Sequence, residues 1–219
     1  MRAERIRSYE RVRDALPGVH RVLDWGCRHG ATAQLVRADL GPPVELHGCD
    51  FADPGTYAGY HALSGLIYRR LEHPWRLDYA DDTFDAVIGA GVLEHVANVG
   101  ASLDELWRVL ALDGALLMTH LPNARSWSEW VSRRAAPRLA HARRFRPRSL
   151  RERLLDHGFE VTDGGYHHLP PTTLPANAGS GPGSGLVRLL QPLHVFERVW
   201  PLRALSAAIW VVARKRTGF

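Results

Sequence analysis

"RVLDWGCRHGA", residues 21–31, is the stretch on which the fold turns. An apolar run ends in Asp24, and Gly26 and Gly30 follow at once. Apolar run, glycine-punctuated turn and helix-forming "ATAQLV" read as strand, tight turn and helix. In open α/β proteins that is the place where a nucleotide is held. Arg28 and His29 fill the part of the turn where small residues are usual.

The rest of the chain extends the pattern. Residues 3–16 place Ile6, Tyr9, Val12 and Leu16 near one helical face. After the first strand, the helix "ATAQLVRADL" stops at Gly41-Pro42-Pro43. "VELHGCD" reads as a second strand ending in Asp50, and residues 55–72 as a helix with a weak third strand near 67–72. "FDAVIGAG" reads as a buried strand. "ASLDELWRVL" puts Leu103, Leu106, Trp107 and Leu110 on one helix face. Asp113-Gly114 turns the chain into the strand "ALLMTHLP". Ser149 and Glu152 have capping-box spacing after Pro147, and that helix stops at Gly158. "FEVTDGGY" and "AAIWVVARK" read as the last strands.

Strands alternating with helices imply an α/β, Rossmann-like, doubly wound fold. The expected sheet is seven-stranded and mostly parallel, with helices on both faces. One domain over 1–219 is expected. It comprises an N-terminal helix within 1–19, a binding core over 20–166, a variable insertion or lid over 167–205, and a closing strand over 206–215. The loops after Asp24, Asp50, Ala90 and Leu121 form the expected site, at the carboxyl ends of the strands.

Composition narrows the class. The chain has 219 residues, 45% hydrophobic and 23% charged, which suits a globular domain and not a disordered chain. The N-terminus is too charged for a secretory signal, and "LSAAIWVVA" is too short to span a bilayer. Cys27 and Cys49 read as reduced thiols of a cytoplasmic protein. Net charge is +5, and residues 133–153 carry nine arginines against one acid, Glu152. Such a segment is either a solvated face or a surface for phosphates, RNA or an anionic membrane.

Three ligands compete for the first turn. A phosphate loop needs Lys-Ser/Thr after its last glycine, and Ala31-Thr32 stands there. A dinucleotide fingerprint needs glycine where Arg28 stands, so that the backbone can approach a pyrophosphate. S-adenosyl-L-methionine has no phosphate. One tight turn at Gly26 and Gly30 suffices for it, with an acid after the next strand, Asp50, accepting both ribose hydroxyls.

With those residues in hand, the chain resembles the class I S-adenosylmethionine-dependent methyltransferases. "VLDWGCRHG", "DDTFDAVIGAGVLEHV", "ELWRVLALDGALLMTHLPN" and "RFRPRSLRERLLDHGFEV" are similar, in order, to segments of that family over roughly residues 20–165. The subgroup it resembles is the small-molecule methyltransferases, including ubiquinone-biosynthesis O-methyltransferases. The resemblance implies that Asp24, Gly26, Cys27 and Gly30 surround the methionine tail, that Asp50 binds the ribose, and that Phe51 lies against the adenine. Glu72 or His73 would stand in for the usual acid at the adenine amine. Ala90 and Gly91 would line the cofactor near the methyl group, with Glu94 and His95 facing the pocket.

His95 is the candidate base, since imidazole titrates near neutrality; orienting a loop is its alternative role. Arg28 replaces the family's glycine; its side chain is expected in solvent, with a guanidinium contact to the cofactor carboxylate as the alternative. Some relatives place a metal with E-x-x-E-H. Gly91 removes the first ligand here, and no metal is expected. His120 reads as a satisfied core or strand-end histidine, and His167 and His168 as surface residues, with a place in the substrate pocket as their alternative. The implied activity is methyl transfer to a small-molecule or lipid- or sugar-linked acceptor, with oxygen as the expected acceptor atom and the arginine-rich segment as the place for peripheral membrane contact. An RNA methyltransferase and a non-catalytic partner module are the alternatives; no Asn/Asp-Pro-Pro-aromatic motif follows the fourth strand, which disfavours RNA.

Overall fold

A computed structural model describes residues 3–135, 138, 140–168 and 201–216. The elements are α1 (Ala3–Glu10), β1 (Arg21–Trp25), α2 (Ala31–Leu40), β2 (Glu45–Asp50), α3 (Ala58–Ser64), β3 (Ile67–Arg70) and β4 (Phe84–Ala90). They continue with α4 (Val99–Val109), β5 (Leu110–Pro122), α5 (Trp127–Ala135), α6 (Pro147–Asp156), β6 (Phe159–His167) and β7 (Ala208–Lys215). The seven strands form one sheet in the order β3-β2-β1-β4-β5-β7-β6. β1, β2, β3, β4 and β5 pair in parallel, and β7 runs antiparallel between β5 and β6. Strand order reverses between β1 and β4, so a crevice opens beyond their carboxyl ends.

Both faces of the sheet are buried, as near-continuous apolar strands require. Leu23, Val87 and Val211 pack with Leu103, Leu106 and Leu154 on one face. Their chain neighbours Val22, Ile88 and Val212 pack with Leu16, Val36 and Tyr9 on the other. The period of two along each strand therefore fills two cores, one under α4 and α6 and one under α1 and α2.

Several local expectations change. The N-terminal α-helix ends at Glu10, and a 3-10 turn (Arg13–Ala15) follows; Tyr9, Val12 and Leu16 are buried, but Ile6 is exposed. α3 stops at Gly65 instead of running to residue 72. Gly65 takes φ +63, and the N–H groups of Gly65 and Leu66 close onto the carbonyls of Ala62 and His61. That stop frees Ile67–Arg70 to pair with β2. Leu110 leaves the helix to open β5 opposite Phe84. Ser149 is not a helix cap. Pro147 opens α6, its N-cap is Arg146, and Glu152 pairs with Arg148. Of the 167–205 insertion, residues 169–200 lie outside the described residues.

Candidate functional site

The turn after β1 is built from three left-handed residues. Gly26, Arg28 and Gly30 have φ of 69°, 45° and 67°. A Cβ on Gly26 would lie 2.6 Å from Val92 Cγ2, so the turn presses on the loop after β4 and needs glycine there. The Gly26 and Cys27 N–H groups both donate to the Cys49 carbonyl, and the Gly30 N–H donates to the Cys27 carbonyl. Gly30 then caps α2 without a side chain. The first N–H groups of a helix lack intrahelical acceptors, which suits the end of α2 to a carboxylate.

Arg28 carries positive φ where a glycine would cost less. Two contacts hold it. Its N–H donates to Asp50 Oδ2 at 2.9 Å, and its carbonyl accepts from His61 Nε2 at 2.6 Å. His61 is buried and stacks on Tyr68 at 4.8 Å, and the Tyr68 hydroxyl donates to the Asp50 and Ala52 carbonyls. His61 and Tyr68 thus brace the turn from α3 and β3, a role that no local pattern announces. The Arg28 side chain is exposed.

Asp24 is 4% exposed at the end of β1, and its Oδ2 accepts the Ala33 N–H of α2 at 3.1 Å. Burial pushes its carboxyl up to about 7; the Ala33 N–H and Arg5 oppose that shift, and Asp50 adds to it. Cys27 and Cys49 are free and buried, and burial raises both thiols, so neither is a ready nucleophile. A Cβ on Gly48 would meet Cys27 Sγ at 2.9 Å, so the Cys27 side chain packs under the turn.

At the end of β2, Asp50 Oδ1 accepts the Phe51 N–H at 2.7 Å while Oδ2 holds Arg28. Each oxygen keeps a further lone pair. Phe51 is 56% exposed, a large apolar ring left beside that acid. Glu72 extends into solvent, 3.8 Å from Arg70 Nε. His73 Nδ1 accepts the N–H groups of Trp75 and Arg76, so this imidazole organises its own loop.

β4 ends at Ala90, and Gly91 turns with φ +72. The Gly91 Cβ position lies 3.5 Å from Glu94 Oε1 and 3.6 Å from His120 Cβ. Glu94 is buried, its Oε2 has no hydrogen-bond partner, and burial pushes its carboxyl up to about 7. His95 sits at the rim with its side chain 68% exposed, 3.8 Å from Glu94 Oε1. Burial and the charges of His141 and Arg143 lower its pKa. Arg143, one of the nine arginines of the basic segment, turns inward, and its guanidinium donates to the Leu93, Glu94 and Val96 carbonyls. Arg133, Arg134, Arg146, Arg148, Arg151 and Arg153 are exposed.

His167 and His168 are corrected. Both are buried, at 2% and 4% exposure, and meet Ser8 of α1. Their apolar-strand-end position hides in the sequence because Ser8, the group that receives them, is in a distant helix.

These residues gather beyond the carboxyl ends of β1, β2 and β4, around the β1/β4 switch point. They offer a buried carboxyl, a glycine turn without Cβ atoms at its close contact, a second acid, an exposed ring and an unpartnered carboxylate oxygen.

Comparison with known proteins follows the same outline. The family model described as "Methyltransferase domain" matches residues 1–163. A demethylmenaquinone methyltransferase of Thermus thermophilus is 33% identical over 105 residues, 47% of this chain and 47% of that protein. One of Symbiobacterium thermophilum is 27% identical over 106 residues, 46% of this chain and 42% of that protein. The matches thus span less than half the length of these curated relatives. Among solved structures, a Haloferax volcanii methyltransferase described as putative, in complex with the Trm112 activator, superposes with TM-score 0.68 at 16% identity, covering 98% of this chain and 92% of that one. The Burkholderia thailandensis 1,6-didemethyltoxoflavin-N1-methyltransferase, with bound S-adenosylhomocysteine, gives TM-score 0.64 at 16% identity, covering 98% and 79%.

Proposed function

The chain belongs to the family of methyltransferase domains, and on that footing we propose that it transfers a methyl group from S-adenosyl-L-methionine to a small-molecule acceptor. The observation that carries this reading is the left-handed turn at Gly26, Arg28 and Gly30, tied to Asp50 through the Arg28 N–H. The residues present fit that cofactor. The N-terminus of α2 and Asp24 suit the carboxylate and ammonium of an amino-acid tail. The free lone pairs of Asp50 suit a ribose diol, and the exposed Phe51 suits an adenine face. The Gly26, Cys27 and Gly30 backbone and the Ala90–Gly91 corner give the close approach. Of the two adenine-edge candidates, His73 is occupied by its own loop and Glu72 is turned to solvent.

When bound, the cofactor supplies a methyl group activated on a sulfonium. The protein then orients the acceptor and receives its proton. Glu94 fits the proton-receiving role better than His95. It is buried beside Gly91, has an unpartnered oxygen, and titrates near 7, where a base works best at neutral pH. His95, at the rim, fits a role in orienting the loop.

An oxygen acceptor is our reading, and the support for a lipid- or sugar-linked acceptor is the exposed arginines of the basic segment. Among the described residues no helix is long and apolar enough to cross a membrane. The test is transfer of a labelled methyl group to a panel of phenols, naphthoquinols and lipid-linked sugars, with tRNA alongside. Label on a small molecule supports the proposal. Label on tRNA alone would replace it with the RNA reading.

A further inference from the structure

Three histidines converge on one hydroxyl beside Gly91. Ser8 Oγ lies 3.1 Å from His120 Nε2, from His167 Nδ1 and from His168 Nε2, and 3.0 Å from the Glu4 carbonyl. A hydroxyl has one proton and two lone pairs, so it cannot satisfy four such neighbours. His167 Nε2 accepts the His120 N–H at 3.3 Å, so its Nδ1 carries the proton and donates to Ser8. If Ser8 donates to the Glu4 carbonyl, it has no proton left for an unprotonated Nε2, and its one remaining lone pair can accept from a single Nε2–H. At least one of the two Nε2 atoms is therefore left without a partner in Ser8.

The carboxylate of Glu4 faces the same two atoms. Its Oε1 lies 3.6 Å from His168 Nε2 and 3.9 Å from His120 Nε2. All three donor atoms fall within 4.8 Å of one another. Four ligands about 2.0–2.1 Å from a tetrahedral ion are spaced about 3.3 Å apart. The Ser8–His distances of 3.1 Å and the Glu4–His distances of 3.6 and 3.9 Å bracket that spacing.

We propose that Glu4, His120 and His168, with the Ser8 hydroxyl as a weak fourth partner, form a binding site for a divalent transition cation of the zinc or cobalt class. Two imidazoles and one carboxylate are an established donor set for such ions. The outer partners agree. With Nε2 on the ion, His120 Nδ1–H donates to Thr119 Oγ1 at 3.0 Å, which fixes the ring as metal-bound histidines are usually fixed. Ser8 then donates to the Glu4 carbonyl, accepts from His167, and keeps a lone pair toward the ion. His120 and His168 also take left-handed backbone, φ 60° and 66°, a strain that collects where side chains must be aimed. Arg5, Arg7 and Arg11 are the opposing charges that act on these rings, and Arg5 reaches away toward Thr32 Oγ1 at 3.4 Å. The three ligands come from α1, the end of β5 and the residue after β6, so no sequence spacing betrays them.

His120 Cβ lies 3.6 Å from the Gly91 Cβ position, so the ion would sit near the corner after β4. Cation binding does not rest on the methyl-transfer reading.

The test is a Co²⁺ titration of the chelator-treated full chain, read by visible absorption, with Zn²⁺ as competitor. One equivalent with four- or five-coordinate bands, displaced by Zn²⁺, is expected. Glu4→Gln, a substitution at a partly exposed helix position, should weaken it at least tenfold, and His168→Ala should abolish the bands. His141→Gln, in the separate group of Glu94, His95 and His141, should leave them unchanged. Absence of bands in the wild-type chain, or bands that survive Glu4→Gln and His168→Ala, would overturn the site, as would their loss in His141→Gln alone. S-adenosylhomocysteine binding, measured on the same samples, reports separately on the methyl-transfer reading.

Discussion

The Arg28 N–H donates to Asp50 Oδ2 at 2.9 Å. The turn after β1 is therefore fixed to the acid at the end of β2, across the β1–β2 register that pairs Trp25 with Cys49. An arginine in a left-handed turn is thus held by a tertiary contact beyond the carboxyl ends of β1 and β2.

Arg28→Gly should stabilise the protein modestly. Left-handed backbone costs a side-chain-bearing residue about 1–2 kcal/mol, and the added freedom of glycine in the unfolded chain returns about 0.5–1 kcal/mol of that. A gain of about 0.5–1 kcal/mol in urea unfolding is expected, with S-adenosylhomocysteine affinity kept, because the N–H to Asp50 remains.

Gly26→Ala should do the reverse. The new methyl would stand 2.6 Å from Val92 Cγ2 on a backbone of φ +69. Overpacking and left-handed strain together give about 2–4 kcal/mol of destabilisation. Val92→Ala in the same chain should recover about half, since it removes the clash and leaves the strain.

Asp24 gives the protein a pH dependence of known sign. Its folded pKa of about 7 exceeds the ordinary 3.8. Between those values the folded chain keeps a proton that the unfolded chain has lost, so this group makes stability fall as pH rises through that window. Binding an ammonium-bearing ligand beside Asp24 favours the carboxylate. S-adenosylhomocysteine affinity should therefore rise about tenfold per pH unit up to about 7 and level off above it. Calorimetry from pH 5.5 to 8 reads this, and Asp24→Asn should flatten the profile.

Glu94 and His95 separate by substitution. With an acceptor from the labelling panel, Glu94→Gln should lower kcat by about a hundredfold or more, the scale of lost general-base catalysis. His95→Ala should change it less than tenfold. The opposite order would return the base role to His95.

The sheet was legible because apolar runs of strand length alternate with amphipathic helices, and burial on both faces leaves that signature. The first turn was legible because Gly26 and Gly30 answer to backbone geometry. What stayed hidden depends on partners distant in the chain. The ring of His61 matters through the Arg28 carbonyl, and the rings of His167 and His168 through Ser8. A histidine read alone defaults to the surface. The Ser149–Glu152 spacing misleads because Pro147 already fixes the helix start. Leu110 fits the helix period, yet the pairing with Phe84 claims it for β5.

The central claim is that this turn and Asp50 hold S-adenosylmethionine. The most direct measurement is calorimetric titration of the purified chain with S-adenosylhomocysteine, beside Asp50→Ala and an Asp53→Ala control. Micromolar binding is predicted, weakened by about 2 kcal/mol or roughly thirtyfold in Asp50→Ala, the scale of hydrogen bonds to a charged group, and unchanged in Asp53→Ala. No binding by the wild-type chain, or equal binding by folded Asp50→Ala, would contradict the account.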